Sequence, residues 1–354
     1  MSPSQQDGRP PGTTSHEASV TELGTHMRSY YGRPVIKEPV WKPEIPWYFF
    51  TGGLGGCSSV LGRIARSRGN DRLADRLLWI SLAADTASPL LLIADLGRPE
   101  RFHHMLRVFK VTSPMNVGSW ILAGSGTASG IAAAAHVLGL TRLRDAAERV
   151  AAALGLPLST YTAVLVSDTA VPIWHEARHD LPLVFATSSA ATAGAAAALV
   201  SDPDAAAPAR RVAIAGAIAE NVAMQAMERR LGKLAEPYEQ GAAGRYNKAA
   251  KALTLAGAAV LGLAGRRRAA AALGGALILG GEVCLRWSVF KAGFQSARDP
   301  RYTVEPQRAR ADEKRGRASS RTGRAHGVDP GRGAGDPDPD QRALDPDEPR
   351  QSGG

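Results

Sequence analysis

DLGRPERFHHMLRVFKVTSPMNVGSW, residues 95–120, is a charged, proline-containing turn set between two stretches too apolar for a soluble surface. On the upstream side Leu77–Ala94 carries Asp85 as its only charge, and on the downstream side Val111–Leu140 carries no Asp, Glu, Lys or Arg. A bilayer core about 30 Å thick needs roughly 20 mostly apolar residues per helix, and both flanks meet that length. Ile45–Gly62, Val150–Ser167 and Leu181–Ser201 are likewise free of acidic and basic residues. Three shorter or Ala/Gly-rich segments complete the set: Val212–Met227 around Glu220, Ala252–Gly265, and Ala269–Phe290 with Glu282 and Arg286. Backbone groups in lipid must bond within their own segment, and the alternation of a barrel strand is absent, so the segments read as helices. The expectation is an all-α, polytopic membrane protein of about eight transmembrane helices.

Bulk composition conceals this. Mean hydropathy is only -0.16 and charged residues make up 21% of the chain, because the polarity sits at the two ends. Residues 1–44 contain no apolar run that could form a signal-peptide core. Residues 299–354 are rich in Arg, Asp, Gly and Pro with few aromatics. Both ends are therefore expected to be largely disordered, flanking a transmembrane domain at 45–298. The net charge of +10 fits loops against anionic lipid headgroups better than a nucleic-acid site, since residues 336–348 are mostly acidic and no aromatics are interleaved for base stacking. The basic residues are nearly balanced between the two faces, so the positive-inside rule assigns no orientation.

Cys57 and Cys284 both fall in apolar segments and cannot form a CxxC pair, so no iron–sulfur cluster or structural zinc is expected. A b-type haem needs two histidines at membrane depth. Only His136 lies within a span, while His103, His104, His175 and His179 lie at loops or edges and His16, His26 and His326 in the polar ends. No haem is expected either, and any electrons must come from a partner.

Three stretches together resemble the NrfD-like membrane subunits of polysulfide reductase and related molybdopterin oxidoreductase complexes: IPWYFFTGGLGGCSS at Ile45–Ser59, LLIADLGRPERFHHMLRVFKVTSPMNVGSW at Leu91–Trp120, and LRWSVFKAGFQSARDPRYTVEPQR at Leu285–Arg308. YTAVLVS at Tyr161–Ser167 and VPIW at Val171–Trp174 are similar to that family's fourth helix. The resemblance implies a cofactor-free anchor in the cytoplasmic membrane. It would exchange electrons between menaquinone or ubiquinone and an iron–sulfur subunit, which in turn serves a molybdopterin catalytic subunit. It also implies that Tyr161 contacts quinone.

The residues can be placed against that expectation. Gly52 and Gly56 form a GxxxG pair, with Gly53 and Gly55 beside them; such glycines either bring helix backbones together or open a slot for a flat ring. Trp47 and Tyr48 would line the mouth of such a slot or belong to the interfacial belt. With an even number of helices, both termini and the loop at residues 95–115 share a face. There Asp95, Arg98, Glu100, Arg101, His103 and His104 would form a platform for the partner, with Arg98 clamped between the two carboxylates. Asp85, Glu220 and Glu282 are ionisable groups at membrane depth, each costing about 2.5–3.5 kcal/mol on insertion scales, and are candidates for a proton path. Glu282 also has an alternative as the ion-pair partner of Arg286, one turn later. A transporter with a midplane site and a purely structural anchor are the competing classes.

Overall fold

The computed structural model describes residues 35–325. Residues 1–34 and 326–354, and with them the disorder expected there, the acidic stretch at 336–348, and His16, His26 and His326, lie outside the described residues. Eight long helices follow one another: α1 (Glu44–Ser67), α2 (Asp71–Asp95), α3 (Pro114–Val137), α4 (Thr141–Ser167), α5 (Leu181–Val200), α6 (Ala207–Leu231), α7 (Gly241–Ala264) and α8 (Arg268–Arg298). Their lengths, 20 to 31 residues, suffice to cross a bilayer at 1.5 Å per residue. By length and composition alone, four of them (α2, α4, α5 and α8) are apolar enough to do so. The other four are diluted by glycine and serine or carry more charge, and their inward faces are covered by neighbouring helices.

The helices pair in sequence. α1 packs on α2 and α4, α3 on α4, α5 on α6 and α7 on α8, and α1 also touches α5 and α8, so it joins the first four helices to the last four. Small residues set these distances. Gly56 of α1 and Gly155 of α4 meet backbone to backbone, a Cβ on Gly56 standing 2.6 Å from the Gly155 carbonyl. Gly257 of α7 and Gly274 of α8 repeat the arrangement, a Gly257 Cβ standing 2.7 Å from the Gly274 carbonyl. This is the close approach that small-xxx-small spacing permits in lipid.

The ends show which loops share a face. The Lys42 backbone N–H donates to Asp95 Oδ1 at 2.7 Å and its ammonium reaches the Ala94 carbonyl at 3.1 Å, so the start of α1 and the end of α2 lie together. Arg298 at the end of α8 binds Glu38 at 2.8 Å, bringing that end to the same face. Residues 35–43, which composition assigned to a disordered segment, are thus fastened to the bundle. Trp41 stacks on Trp174 with centroids 5.5 Å apart, and Trp174 itself is fully buried with its indole N–H on the Val289 carbonyl at 2.9 Å.

Other expectations need correcting. The third span starts at Pro114 rather than Val111, because Asn116 ties the preceding turn together: its side chain accepts from Lys110 N at 2.6 Å and donates to the Met105 carbonyl at 2.6 Å. The chain after Asp299 is not structureless at once, since a ninth helix, α9, runs over Arg301–Ala325. Asp299 starts it by accepting from Arg301 N at 2.9 Å, a capping interaction. The first compact unit ends at Val304 and the second begins at Glu305.

Candidate functional site

Two buried polar centres stand inside the bundle, one in each set of four helices. The first is built on Asp85, midway along α2 and 2% exposed. Its Oδ2 accepts from Ser129 at 2.7 Å, Ser125 at 3.1 Å and Ser81 at 3.4 Å. Ser125 and Ser129 are four residues apart and so share one face of α3, while Ser81 precedes Asp85 by one turn. Among the described residues Oδ1 has no hydrogen-bond partner, and it faces Gly55 of α1. Pro89, four residues on, has no N–H to offer the Asp85 carbonyl, and that carbonyl faces Gly126, where a Cβ would stand 3.7 Å away.

A cavity of about 400 Å³ has Asp85 among its lining residues, with Pro89, Phe102, Met105, Ser119 and Leu122. Its roof is the 3-10 turn Pro99–Leu106, within the charged stretch 95–120. The site is mostly apolar and of ligand-binding size.

The second centre joins Glu220 of α6 to Glu282 and Arg286 of α8, all three at most 2% exposed. The two carboxyl groups face one another, and Ser188 of α5 donates to Glu282 Oε2. The Glu282–Arg286 ion pair, the alternative to a proton-path role, is not formed among the described residues. The guanidinium instead lies over the Phe185 ring, 3.8 Å from its centroid, and reaches Ser189 Oγ at 3.4 Å. Its Nε and Nη1 have no hydrogen-bond partner among the described residues.

The glycine slot does not form as a ring-sized opening along Gly53–Gly56. A Gly53 Cβ would stand 2.5 Å from Ser189 Oγ and 3.4 Å from Arg286 Nη2, Gly55 meets Asp85, and Gly56 meets α4. These glycines admit protein groups, and α1 thereby touches both polar centres, Gly53 facing Arg286 and Gly55 facing Asp85. Gly52 is in ordinary contact, its Cβ position 3.9 Å from Tyr48 and 4.0 Å from Thr162. Tyr48 is fully buried rather than at a mouth, Trp47 is 43% exposed, and Tyr161 is 6% exposed. Tyr161 lies against Gly118 of α3 and faces Tyr48.

In the loop, Arg98, Glu100, Arg101, His103 and His104 are exposed and Asp95 is half-buried. Among the described residues Arg98 makes no ion pair with Asp95 or Glu100, so the clamp is absent; Asp95 is engaged by Lys42 instead. The loop surface also carries Phe102, Val108 and Phe109, between 44% and 64% exposed. No group of three or more His, Cys, Asp or Glu suited to a metal occurs among the described residues.

On the opposite face lies a network that sequence reasoning missed. Arg66 of α1 binds Glu148 of α4 at 2.7 Å and Asp71 and Asp75 at 2.9 and 2.8 Å. His136 approaches Asp75 at 3.6 Å, at the end of α3 rather than at membrane depth.

Eight long helices carrying buried carboxylates, with both ends of the bundle on one face, define a multi-pass helical membrane protein. A family model described as polysulfide reductase, of the NrfD type, matches residues 27–299. The chain belongs to this family, and membership makes it a membrane subunit of an oxidoreductase complex. No match is found among curated proteins.

Proposed function

We propose that this chain is the quinone-interacting subunit of a molybdopterin oxidoreductase in the cell membrane, passing electrons between menaquinone or ubiquinone and a partner iron–sulfur subunit. The observation that carries the proposal is the 400 Å³ cavity that reaches Asp85 beneath the exposed turn Pro99–Leu106. A quinone head seated there has apolar walls from Phe102, Met105 and Leu122, with Asp85 among the lining residues. Tyr161, packed against Gly118 of α3, and Tyr48, Gly52, Gly53 and Trp47 of α1 are proposed as packing and positioning groups around the quinone. Asp95, Arg98, Glu100, Arg101, His103 and His104 form the docking surface on which the iron–sulfur partner comes close to the cavity.

Quinone reduction takes up two electrons and two protons, so the site needs a proton donor as well as an electron partner. Asp85 is that donor, and Glu220 and Glu282, two facing carboxyls beside an arginine, form a second store of exchangeable protons in the other half of the bundle. The test is Asp85→Asn in the intact complex. Quinone-linked turnover should fall by on the order of 100-fold while the partner subunits still co-purify, the range for losing a general acid. Unchanged turnover in the assembled complex would leave only a structural anchor.

A further inference from the structure

We infer that Asp85 takes its protons from the face opposite the docking loop, through a serine relay that begins at Glu148, so that quinone reduction draws protons across most of the bundle. The inference rests on the proposed quinone site and adds its proton entry. From Asp85 Oδ2 the hydrogen bonds run without a gap to Ser129 at 2.7 Å, from Ser129 to Ser81 at 3.3 Å and from Ser81 to Ser59 at 2.6 Å. Each of these side chains is at most 9% exposed. Hydroxyls both donate and accept, so one rotation of each passes a proton along the chain.

Beyond Ser59 the path continues through a separate small cavity of about 20 Å³. Ser58, Ser59, Ser81, Ser129, Arg63 and Glu148 are among its walls. That volume suffices for about one water, given polar partners, and Ser58 Oγ is buried with no hydrogen-bond partner among the described residues. Glu148 is 7% exposed and forms the outer end.

The charged groups around that end come from four helices: Arg63 and Arg66 of α1, Asp71 and Asp75 of α2, His136 at the end of α3, and Arg144 and Asp145 of α4. Arg66 holds Glu148 through two hydrogen bonds, from Nη2 at 2.7 Å and Nε at 3.2 Å. All of these groups lie at the end of α1 remote from Lys42 and Asp95. The large cavity has Asp85 among its lining residues on the docking side, and the relay ends on the Asp85 carboxyl from the other, so Asp85 is the residue the two share.

The balance is simple. Quinone plus two electrons from the reduced iron–sulfur partner plus two protons gives quinol. Each proton leaves Asp85 for a quinone oxygen, and Asp85 is reprotonated from Ser129 as the relay shifts by one place toward the large cavity.

The experiment uses the full chain co-purified with its redox subunits and reconstituted in vesicles. Sidedness is read from impermeant maleimide labelling of an Arg72→Cys tag on the Arg66 face. Electrons come from a reduced viologen, the acceptor is a short-chain menaquinone, and pH dyes report on each compartment. Alkalinisation should appear in the compartment facing the tag. Ser81→Ala should slow proton-coupled reduction about 10-fold or more, and Ser81→Thr, which keeps the hydroxyl, should restore it. Alkalinisation on the docking side, with reduction intact and dependent on Asp85, would overturn the relay and leave the quinone site standing. No reduction of quinone by the wild-type complex would overturn both.

Discussion

Gly56→Ala tests whether the glycines of α1 hold helices together or hold a ligand. The new Cβ would stand 2.6 Å from the Gly155 carbonyl oxygen, 3.1 Å from Ser159 N and 3.2 Å from Leu158 Cβ. Two of these three atoms are backbone, so no side-chain rotation relieves the contact, and α1 and α4 must separate by several tenths of an ångström along their packed length. Overpacking of this kind costs about 1–3 kcal/mol. Gly130→Ala on α3 is the matched control, because nothing lies within 4 Å of its Cβ position; helix propensity alone makes it neutral or up to about 1 kcal/mol stabilising. Unfolding of the purified chain in mixed detergent, followed by circular dichroism, should place the two variants about 1–4 kcal/mol apart. Equal stability of the two, with quinone affinity lost only in Gly56→Ala, would refute the packing reading and restore a ligand slot along α1.

Arg286→Leu removes the guanidinium buried near Glu220 and Glu282 together with its contacts to Phe185 and Ser189, and should destabilise the bundle by about 1–3 kcal/mol in the same assay; adding Glu220→Gln and Glu282→Gln should recover part of the loss. Arg66→Ala removes the partner of Glu148, and since the two side chains are 9% and 8% exposed, a loss on the order of 3 kcal/mol is expected in detergent unfolding. The Glu38–Arg298 pair gives a pH test outside the membrane. The guanidinium holds the Glu38 carboxyl below its ordinary value, so its contribution is present above the unfolded pKa of about 4.3 and is lost as pH falls through the lower folded value. Limited proteolysis of residues 35–43 should accelerate below about pH 4, and Glu38→Gln should abolish that step by making the segment labile at every pH.

The helices were legible because each contains a stretch of apolar or small residues with few charges, and in lipid the backbone of such a stretch is satisfied only as a helix. Their ends were less so: Pro114 starts α3 only because Asn116 gathers the turn before it, and residues 35–43 are held by Trp174, Asp95 and Arg298, all distant in sequence. Asp85, Glu220 and Glu282 stood out as charges in apolar segments. What each charge meets was not legible, because the i,i+4 spacing that suggested a Glu282–Arg286 pair says nothing of Ser188, Glu220 and Phe185 arriving from other helices. The serines around Asp85 left a faint trace: Ser81 precedes Asp85 by four residues, and Ser125 and Ser129 repeat that spacing on α3. Arg66 and Glu148 looked like ordinary loop-end charges until α1 and α4 were brought side by side. The glycines of α1 left close packing and a ligand slot open in the sequence, and only the fold shows what fills the space they leave.

The central claim is that quinone binds in the cavity between α2, α3 and the turn Pro99–Leu106. The most direct measurement is photo-crosslinking of the intact complex with an azido-quinone, followed by mass spectrometry of the labelled peptides. Label on Phe102–Leu106 and on Ser119–Gly126, competed by unmodified menaquinone, is the result predicted. Label confined to other helices, or none that menaquinone displaces, would contradict it.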